Sequence, residues 1–415
     1  MATPTSPTTT SAPRPSSNKK SPPQSPSTTN DPKPATTQQE DLKPPRVPKF
    51  PTHNAPRVWF LTSASTPIGI SLSRHLLSHG DYIVAGVSPT DLAEPSTTTS
   101  PHPSTFRHFL TEISSHTRDN WKARFKPVPL DVTIMGQCQS AVATAVSSFG
   151  RIDILFCCSS VGVVGAVEEL GATALTQTLV REQFEVNFFG AVNVIKAVLP
   201  SFRAKRNGHI VVLTGITGHL GTPGLGIYCA AQWAIEGYCD SLAYEVAPFN
   251  VRTTIVQPNV EVGLLTNRVV GAPPLGAYGG ESNGAPLFRD ILSGLLDRLE
   301  GGGAGDREGT GTTEDEGSES RGPTTGDLLH QNKISTVYPP LGKGLKERLV
   351  AETVYAVAAI GGHDNPPSRH IVGHEGVASV KEKLKTVSEE LEDFVEVSAA
   401  VDIGKEDTGA MMVPM

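Results

Sequence analysis

Seven short apolar runs alternate with helical patterns along residues 58–394. The runs are rich in Val, Ile, Leu and Phe, and turn-forming residues follow them, which is typical of buried parallel strands. They cover residues 58–62, 82–87, 127–132, 151–158, 209–213, 251–258 and 368–373. Between and after these runs, apolar residues three or four positions apart predict helices at 68–77, 106–115, 137–149, 175–198, 228–246, 346–360 and 377–394. The alternation predicts an α/β fold of Rossmann type, a doubly wound parallel sheet of about seven strands in a single domain at 56–400.

Three stretches lack this patterning. Residues 1–55 are rich in Pro, Ser and Thr, residues 301–326 combine Gly with acids inside a weakly patterned insertion at 273–341, and residues 401–415 are polar. Such compositions bury too little apolar surface to offset the entropy of folding. We therefore expect a disordered N-terminal tail, a disordered insertion and a flexible C-terminal tail.

Composition and charge narrow the class of protein. The chain has 415 residues, of which 38% are hydrophobic, and its formal net charge is −7 at pH 7. An acidic balance argues against nucleic acid or an anionic membrane as a partner. No apolar run reaches the roughly 18 residues of a membrane span, and the five cysteines show no metal-ligand spacing. We expect a cytoplasmic protein that acts on a small molecule and binds no metal.

One segment carries the candidate chemistry. Residues 208–244 read as an apolar strand, a loop rich in Gly and Pro, and a helix on which Tyr228 lies one turn before Gln232. This segment resembles the active-site segment of the short-chain dehydrogenase/reductase family, in which a serine, a tyrosine and a lysine four residues further on carry the hydride chemistry. The resemblance implies that Tyr228 is the catalytic tyrosine. It puts Gly215 in the serine position and Gln232 in the lysine position.

Other blocks match the family in the same order. Residues 182–200, EQFEVNFFGAVNVIKAVLP, resemble the helix whose catalytic asparagine holds a proton-relay water, which implies that role for Asn187. LDVT at 130–133 resembles the segment that holds the adenine ring, which implies contacts from Asp131 and Val132. Pro258 and Asn259 stand where the family has a Pro-Gly pair against the nicotinamide amide, and asparagine tolerates a positive φ better than most residues.

The turn after the first strand resembles the family's TGxxxGxG dinucleotide-binding turn with two glycines replaced. Aligned on Thr62, the chain has Ser63 and Pro67 at the first two glycine positions and Gly69 at the third. The three glycines permit a tight turn, close approach of the pyrophosphate, and packing of helix on strand. Because Pro67 removes one backbone donor, we expect weakened cofactor binding. The candidate cofactor-binding residues here are Thr62, Ser63, Ser65, Ile68 and Gly69.

Ser88 ends the second strand, where family members that bind NAD place an acid. The absence of an acid at this position favours NADP(H) over NAD(H).

The substitutions change the expected chemistry. An unperturbed tyrosine has a pKa of about 10, and a cation about 5 Å away lowers it by about two units at an effective dielectric constant of about 20. Gln232 supplies no such charge, so alcohol oxidation, which needs tyrosinate, should lose more than carbonyl reduction. Thr214 and Thr217 flank Gly215, and the sequence suggests that one of them replaces the serine as a hydrogen-bond donor.

Two functions remain open. The first is an NAD(P)(H)-dependent oxidoreductase of altered mechanism that reduces a carbonyl, or oxidises a hydroxyl, on a small or lipid-like molecule. The second is a catalytically inactive member of the family that serves as a nucleotide sensor or a protein-interaction scaffold. Retention of Tyr228, Asn187 and Asp131 favours the first, and the departures at Ser63, Pro67, Ser160, Gly215 and Gln232 favour the second. The resemblance also implies a homodimer or homotetramer that pairs through helices 175–198 and 228–246.

Overall fold

The structure is a computed structural model that describes residues 55–92, 102–116, 119–278, 289, 332–339, 341 and 343–400. The predicted C-terminal tail, the N-terminal tail up to residue 54 and most of the predicted insertion lie outside the described residues. The strands are β1 Val58–Leu61, β2 Tyr82–Val87, β3 Phe125–Pro129, β4 Ile154–Cys157, β5 Gly162–Val164, β6 Gly208–Leu213, β7 Val251–Pro258, β8 Val269–Gly271, β9 Ser335–Val337 and β10 Arg369–Val372.

A seven-stranded parallel sheet forms the centre of the fold, in the order β10-β7-β6-β4-β1-β2-β3. The seven predicted strands are confirmed, although β3 begins and ends two to three residues earlier than predicted. The chain crosses over between β1 and β4, which lie side by side, so the order reverses there. Ligands of doubly wound sheets bind at this switch point, beyond the carboxyl ends of the strands.

Helices cover both faces of the sheet because alternate strand residues point to opposite sides. Trp59 and Leu61 pack into the cluster under α1, α3 and α11, whereas Val58 and Phe60 pack into the cluster under α5, α8 and α9. The helices are α1 Pro67–Ser78, α2 Pro89–Leu92, α3 His102–Ser115, α4 Trp121–Arg124, α5 Met135–Phe149, α6 Val167–Gly171, α7 Ala174–Phe184, α8 Ala191–Lys205, α9 Gly226–Val246, α10 Val262–Leu265, α11 Lys343–Ile360, α12 His374–Asp393 and α13 Val395–Ala399.

The predicted helix at 175–198 is two helices joined by a wider turn. Residues Glu185–Gly190 form a π-helical segment between α7 and α8. π-Helical turns are rare and are frequent at functional sites. This segment contains Asn187, whose candidate role the family resemblance suggested.

A second, three-stranded sheet was not predicted. β5 pairs with β8 in parallel, and β8 pairs with β9 antiparallel. β9 lies within the sequence range of the predicted insertion, so that stretch contributes an ordered strand at Ser335–Val337. Within the described residues, no helix is both long and apolar enough to cross a membrane.

Candidate active site

A crevice with a cavity volume of about 610 Å³ opens at the switch point of the sheet. Its walls come from the loops after β1, β2, β3 and β4 and from the residues around β8 and β9. Six residues that the sequence nominated for cofactor binding line it: Thr62, Ser63, Ser65, Ser88, Asp131 and Val132. The fold therefore brings most of that predicted set to one cavity.

The turn after β1 caps helix α1. The Thr66 hydroxyl accepts a hydrogen bond of 3.2 Å from the Gly69 N–H, and Pro67 occupies the first turn, where its missing N–H costs no helical bond. A Cβ built on Gly69 would lie 2.6 Å from the Ala64 Cα, so glycine is required there for close packing. Gly69 and its neighbour Ile68 are buried in α1 and are not among the residues that line the crevice.

Hydroxyl groups tie the ends of β1 and β4 together. Thr62 Oγ1 accepts from the Cys158 N–H at 2.9 Å and the Ser159 N–H at 3.2 Å. Ser63 Oγ and Ser159 Oγ are 2.7 Å apart. Ser63, which replaces a family glycine, and Ser159 thus form a polar floor to the crevice together with Thr62.

Two acids face the crevice, and one of them was not predicted. Asp131 Oδ1 accepts from both the N–H (3.0 Å) and the hydroxyl (2.7 Å) of Thr133, which fixes the turn after β3. Asp91, on the one-turn helix α2, accepts 2.6 Å from Ser65 Oγ and lines the crevice three residues beyond Ser88. The sequence does place this acid shortly after the end of β2, but three residues beyond Ser88, which is the position where an acid was sought.

Arg268 is the one cationic residue among the crevice-lining residues that the structure describes. Its Nε is buried without a hydrogen-bond partner. The backbone C=O of Arg268 accepts from the Gly162 N–H at 3.2 Å, which holds the residue against β5. Sequence reasoning missed it because the small sheet that positions it was not foreseen.

Tyr228 and Gln232 do share a face of α9. Gln232 Nε2 donates to Tyr228 Oη at 2.9 Å, and the Tyr228 side chain is fully buried. Burial, with a smaller contribution from the Glu261 carboxylate, raises the pKa of Tyr228 well above its ordinary value. The phenol is therefore protonated at neutral pH and is suited to donate a proton rather than to accept one.

Asn187 joins the π-helical segment to β5. Its Oδ1 accepts from the Val161 N–H at 2.9 Å, and its Nδ2 donates to the Val161 C=O at 2.8 Å. A small cavity of about 10 Å³ lies between Asn187 and Gln232, close to the volume that one water molecule needs. It shares four lining residues with the large crevice, Thr62, Val132, Ser159 and Ser160. Gln232 thus connects the Tyr228 hydroxyl to the edge of the crevice.

Thr214 is held by another partner. Its hydroxyl donates to the buried carboxylate of Glu236 at 3.0 Å, and Gln257 Nε2 donates to the same oxygen at 2.7 Å. The Thr214 hydroxyl therefore already donates its proton to Glu236, whereas the sequence suggested that it donates to a substrate oxygen. The structure therefore does not bring the Thr214 hydroxyl to Tyr228.

Glu261 occupies the space beside Gly215. A Cβ built on Gly215 would lie 2.5 Å from the Glu261 carboxyl carbon and nearer still to both oxygens. The Thr217 N–H donates to Glu261 Oε1 at 3.0 Å. Sequence reasoning missed this residue, although an acid inside the apolar run VEVGLL signals a buried carboxylate with a specific partner.

Pro258 and Asn259 end β7 away from the cavity. The Asn259 N–H donates to the Val372 C=O at 3.0 Å, and its side chain packs against Gly373 and Gly376. Asn259 is not among the described residues with positive φ, and neither residue lines the crevice. The structure does not place this pair at the candidate site because β10 and α12 engage it.

Helix α10 covers the Tyr228 hydroxyl. A Cβ built on Gly263 would lie 3.8 Å from Tyr228 Oη and 3.6 Å from Ser160 Oγ. The phenol lies fully buried beneath this short helix.

Known proteins are similar to this chain in sequence and in fold. The family model for short chain dehydrogenases matches residues 57–266. The oxidoreductase BOA17 of Botryotinia fuckeliana is 31% identical over 202 residues, 49% of this chain and 65% of that protein. The 3-ketodihydrosphingosine reductase of Bacteroides thetaiotaomicron is 39% identical over 140 residues, 34% of this chain and 50% of that protein. Human retinol dehydrogenase 8 is 31% identical over 158 residues, 38% of this chain and 47% of that protein.

The matched stretches thus span about half to two thirds of these relatives. A short-chain dehydrogenase from Streptomyces avermitilis has a similar fold, with a TM-score of 0.54 at 22% identity over 84% of this chain and 100% of that chain. The family model covers half of the chain and the sheet carries the family's site blocks in order. The protein is therefore a member of the short chain dehydrogenase family.

Proposed function

We propose that this protein is a nicotinamide-dependent oxidoreductase that reduces a carbonyl on an apolar, lipid-like molecule. One observation carries the proposal: a buried, protonated tyrosine is linked through Gln232 to a crevice at the switch point of the sheet. Reduction rather than oxidation follows from the raised pKa of Tyr228, because the phenol is ready to give a proton to an alkoxide.

The residues of the crevice suit a dinucleotide. Its volume of about 610 Å³ is in the range of cofactor sites. Arg268, whose Nε has no hydrogen-bond partner among the described residues, lines the same crevice as the turn that lost a backbone donor at Pro67. We assign Arg268 to the pyrophosphate, Asp131 and Val132 to the adenine side, and Ser159 and Ser160 to the nicotinamide side. When bound, the reduced nicotinamide supplies the hydride.

Asp91 supports NAD(H) as the cofactor. The sequence favoured NADP(H) because Ser88 carries no charge, but α2 brings the Asp91 carboxylate to the same end of the crevice. A carboxylate accepts hydrogen bonds from ribose hydroxyls and repels a ribose phosphate.

An apolar substrate is supported by the cover of the site and by the relatives. α10 presents Val262, Leu264 and Leu265, all buried around the phenol. The names of the relatives refer to a ketosphingosine and a retinol, both lipids. We propose that a lipid-like carbonyl compound displaces α10 and takes its place against Tyr228.

A second candidate function is a nucleotide-binding member of the family without turnover. The observation that favours it is the complete burial of Tyr228 under Gly263. If α10 does not open, the crevice binds a dinucleotide while the phenol stays out of reach.

Cofactor titration followed by a carbonyl panel separates these functions. We expect NADH fluorescence to change on binding and Arg268→Gln to weaken that binding at least tenfold, whereas Arg74→Gln, a matched change outside the crevice, has no effect. Lipid-like ketones and aldehydes should then oxidise NADH, and Tyr228→Phe should abolish this. Binding without turnover on the whole panel supports the second function, and no binding of either cofactor contradicts both.

A further inference from the structure

The Glu261 carboxyl occupies the space that a side chain at position 215 would need. The backbone of Gly215 is extended, with φ −168° and ψ 178°, a conformation open to any residue. The absent side chain is therefore a matter of space, and the Glu261 carboxyl occupies that space. Compared with the family pattern, the chain lacks a hydroxyl in the loop after β6 and has a carboxyl that reaches the same place from the segment after β7.

The Glu261 carboxyl is held from one side. The Thr217 N–H donates to Oε1 at 3.0 Å, and Oε2 is buried with no hydrogen bond of ordinary geometry among the described residues. A buried carboxylate oxygen without a donor is costly. Protonation removes that cost, because a carboxylic acid carries its own O–H donor.

No described cation is among the groups that set the charge state of Glu261. The titratable groups that face it are Tyr228, Cys229 and Glu236, all from α9, while the turn Ile216–Gly218 offers Thr217. Burial raises the pKa of Glu261 and the Glu236 carboxylate raises it further, whereas the hydrogen bond from the Thr217 N–H and the nearby Tyr228 hydroxyl lower it. Burial and the unpartnered Oε2 both favour the protonated form of the Glu261 carboxyl, which lies beside a protonated phenol.

We propose that Glu261 is a proton donor to Tyr228, a role that neither Gly215 nor Gln232 can fill. This inference rests on the proposed function. In carbonyl reduction, a bound reduced nicotinamide would supply the hydride for the new C–H bond, and the Tyr228 O–H bond would break to protonate the substrate oxygen. The Glu261 O–H bond then breaks and its proton returns to Tyr228 Oη. The remaining carboxylate regains a proton from water when α10 opens.

The pH profile of reduction follows from this step. The rate is full while Glu261 is protonated and falls as pH rises through its raised pKa. Glu261→Gln keeps the shape of the side chain and removes the proton. With NADH and phenanthrenequinone as the probe, we expect Glu261→Gln to lower kcat about a hundredfold, to leave the Kd for NADH unchanged and to remove the alkaline fall.

Glu236→Gln is the matched control, since it neutralises the neighbouring buried carboxylate. Removing that charge lowers the pKa of Glu261, so the alkaline fall should persist and move to lower pH. A Glu261→Gln variant with the kcat and alkaline fall of the wild type would overturn the proposal while leaving the proposed reductase function standing.

A measurement without substrate tests the proton itself. Infrared difference spectra of wild type against Glu261→Gln should contain the C=O band of a buried protonated carboxyl at neutral pH. Tyr228→Phe removes a nearby hydroxyl that lowers the pKa of Glu261, so the band should persist to higher pH. Absence of the band at neutral pH overturns the proposal whether or not the enzyme turns over. Failure of NADH and NADPH to bind, with the band present, contradicts only the proposed function.

Discussion

At the residue scale, some charged groups of the site come from residues other than those at the family positions. The carboxyl of Glu261 lies where Gly215 leaves space, and Arg268 lines the same crevice as Ser63 and Ser65 of the turn before Pro67. The Gln232 amide keeps the hydrogen bond to Tyr228 at 2.9 Å but brings no charge. The chemistry of the site therefore depends on which neighbours carry charge more than on which family residues persist.

Restoring a cation should change the direction of catalysis. Gln232→Lys places an ammonium beside the phenol and the Glu261 carboxyl, which lowers the pKa of both. We expect alcohol oxidation with NAD⁺ to rise about a hundredfold, because a cation about 5 Å away is worth about two pKa units. The rate of NAD⁺ reduction by a long-chain secondary alcohol measures this. Gln232→Met, similar in volume and uncharged, should give no gain, and an equal gain from Met would contradict the explanation.

Cofactor preference should depend on Asp91. Asp91→Asn keeps an acceptor for Ser65 and removes a charge that repels a ribose phosphate. We expect the Kd for NADPH to fall about tenfold while that for NADH rises, a change of about 1.4 kcal/mol in the first case. Fluorescence titration of both cofactors measures this, and Asp119→Asn, an exposed acid outside the crevice, is the control. Unchanged affinity for NADPH would remove Asp91 from the ribose site.

At the scale of elements, hydrogen bonds of His209 on β6 link this strand to β7 and to the segment that contains Gly362. The Gly362 N–H donates to His209 Nδ1 at 2.9 Å, so Nε2 carries the proton and donates to Thr254 Oγ1 at 2.9 Å. Thr254 in turn donates to the Pro367 C=O at 2.8 Å. Burial lowers the pKa of His209 to about 3. Protonating the ring would break the bond to Gly362.

Stability should therefore fall on acidification. The unfolded chain binds a proton on His209 below about pH 6.5, whereas the folded protein does not until about pH 3. Between these values the free energy of unfolding should drop by about 1.4 kcal/mol per pH unit. Urea denaturation across this range measures the slope. His209→Asn retains an acceptor for Gly362 and should reduce the slope, whereas the exposed His108→Asn should not; equal slopes would contradict the role of His209.

At the scale of the whole molecule, the exposed apolar side chains of the described residues include two groups that we treat as separate surfaces. One comprises Leu175, Phe189, Trp233 and Tyr244 on α7, the π-helical segment and α9, with Tyr244 85% exposed. The other follows α12 through Leu384, Val387, Leu391 and Phe394. The first coincides with the helices through which the family resemblance predicted pairing.

We expect the protein to form a homodimer or homotetramer through the first surface. Phe189→Glu with Tyr244→Glu should shift the mass measured by light scattering toward that of the monomer, because charges cannot be buried without partners. Leu391→Glu, an equivalent change on α12, should leave the mass unchanged. Dissociation by Leu391→Glu instead would assign the interface to α12.

Sequence patterning by itself determined the seven-stranded sheet, because strand and helix periods are local properties, and it put Tyr228 and Gln232 on one face of α9. It did not reveal the small sheet, because the three short strands of that sheet are spread across more than 170 residues of sequence. Only the tertiary structure decided that Glu261 meets Gly215, because β6 and β7 lie side by side and bring the segments that follow them together. Contacts between other distant segments brought Asp91 and Arg268 to the crevice. They also formed the hydrogen bond between Thr214 and Glu236. Contacts between loops produce no periodic pattern in a sequence. The charged residues of this site could therefore be identified only from the fold.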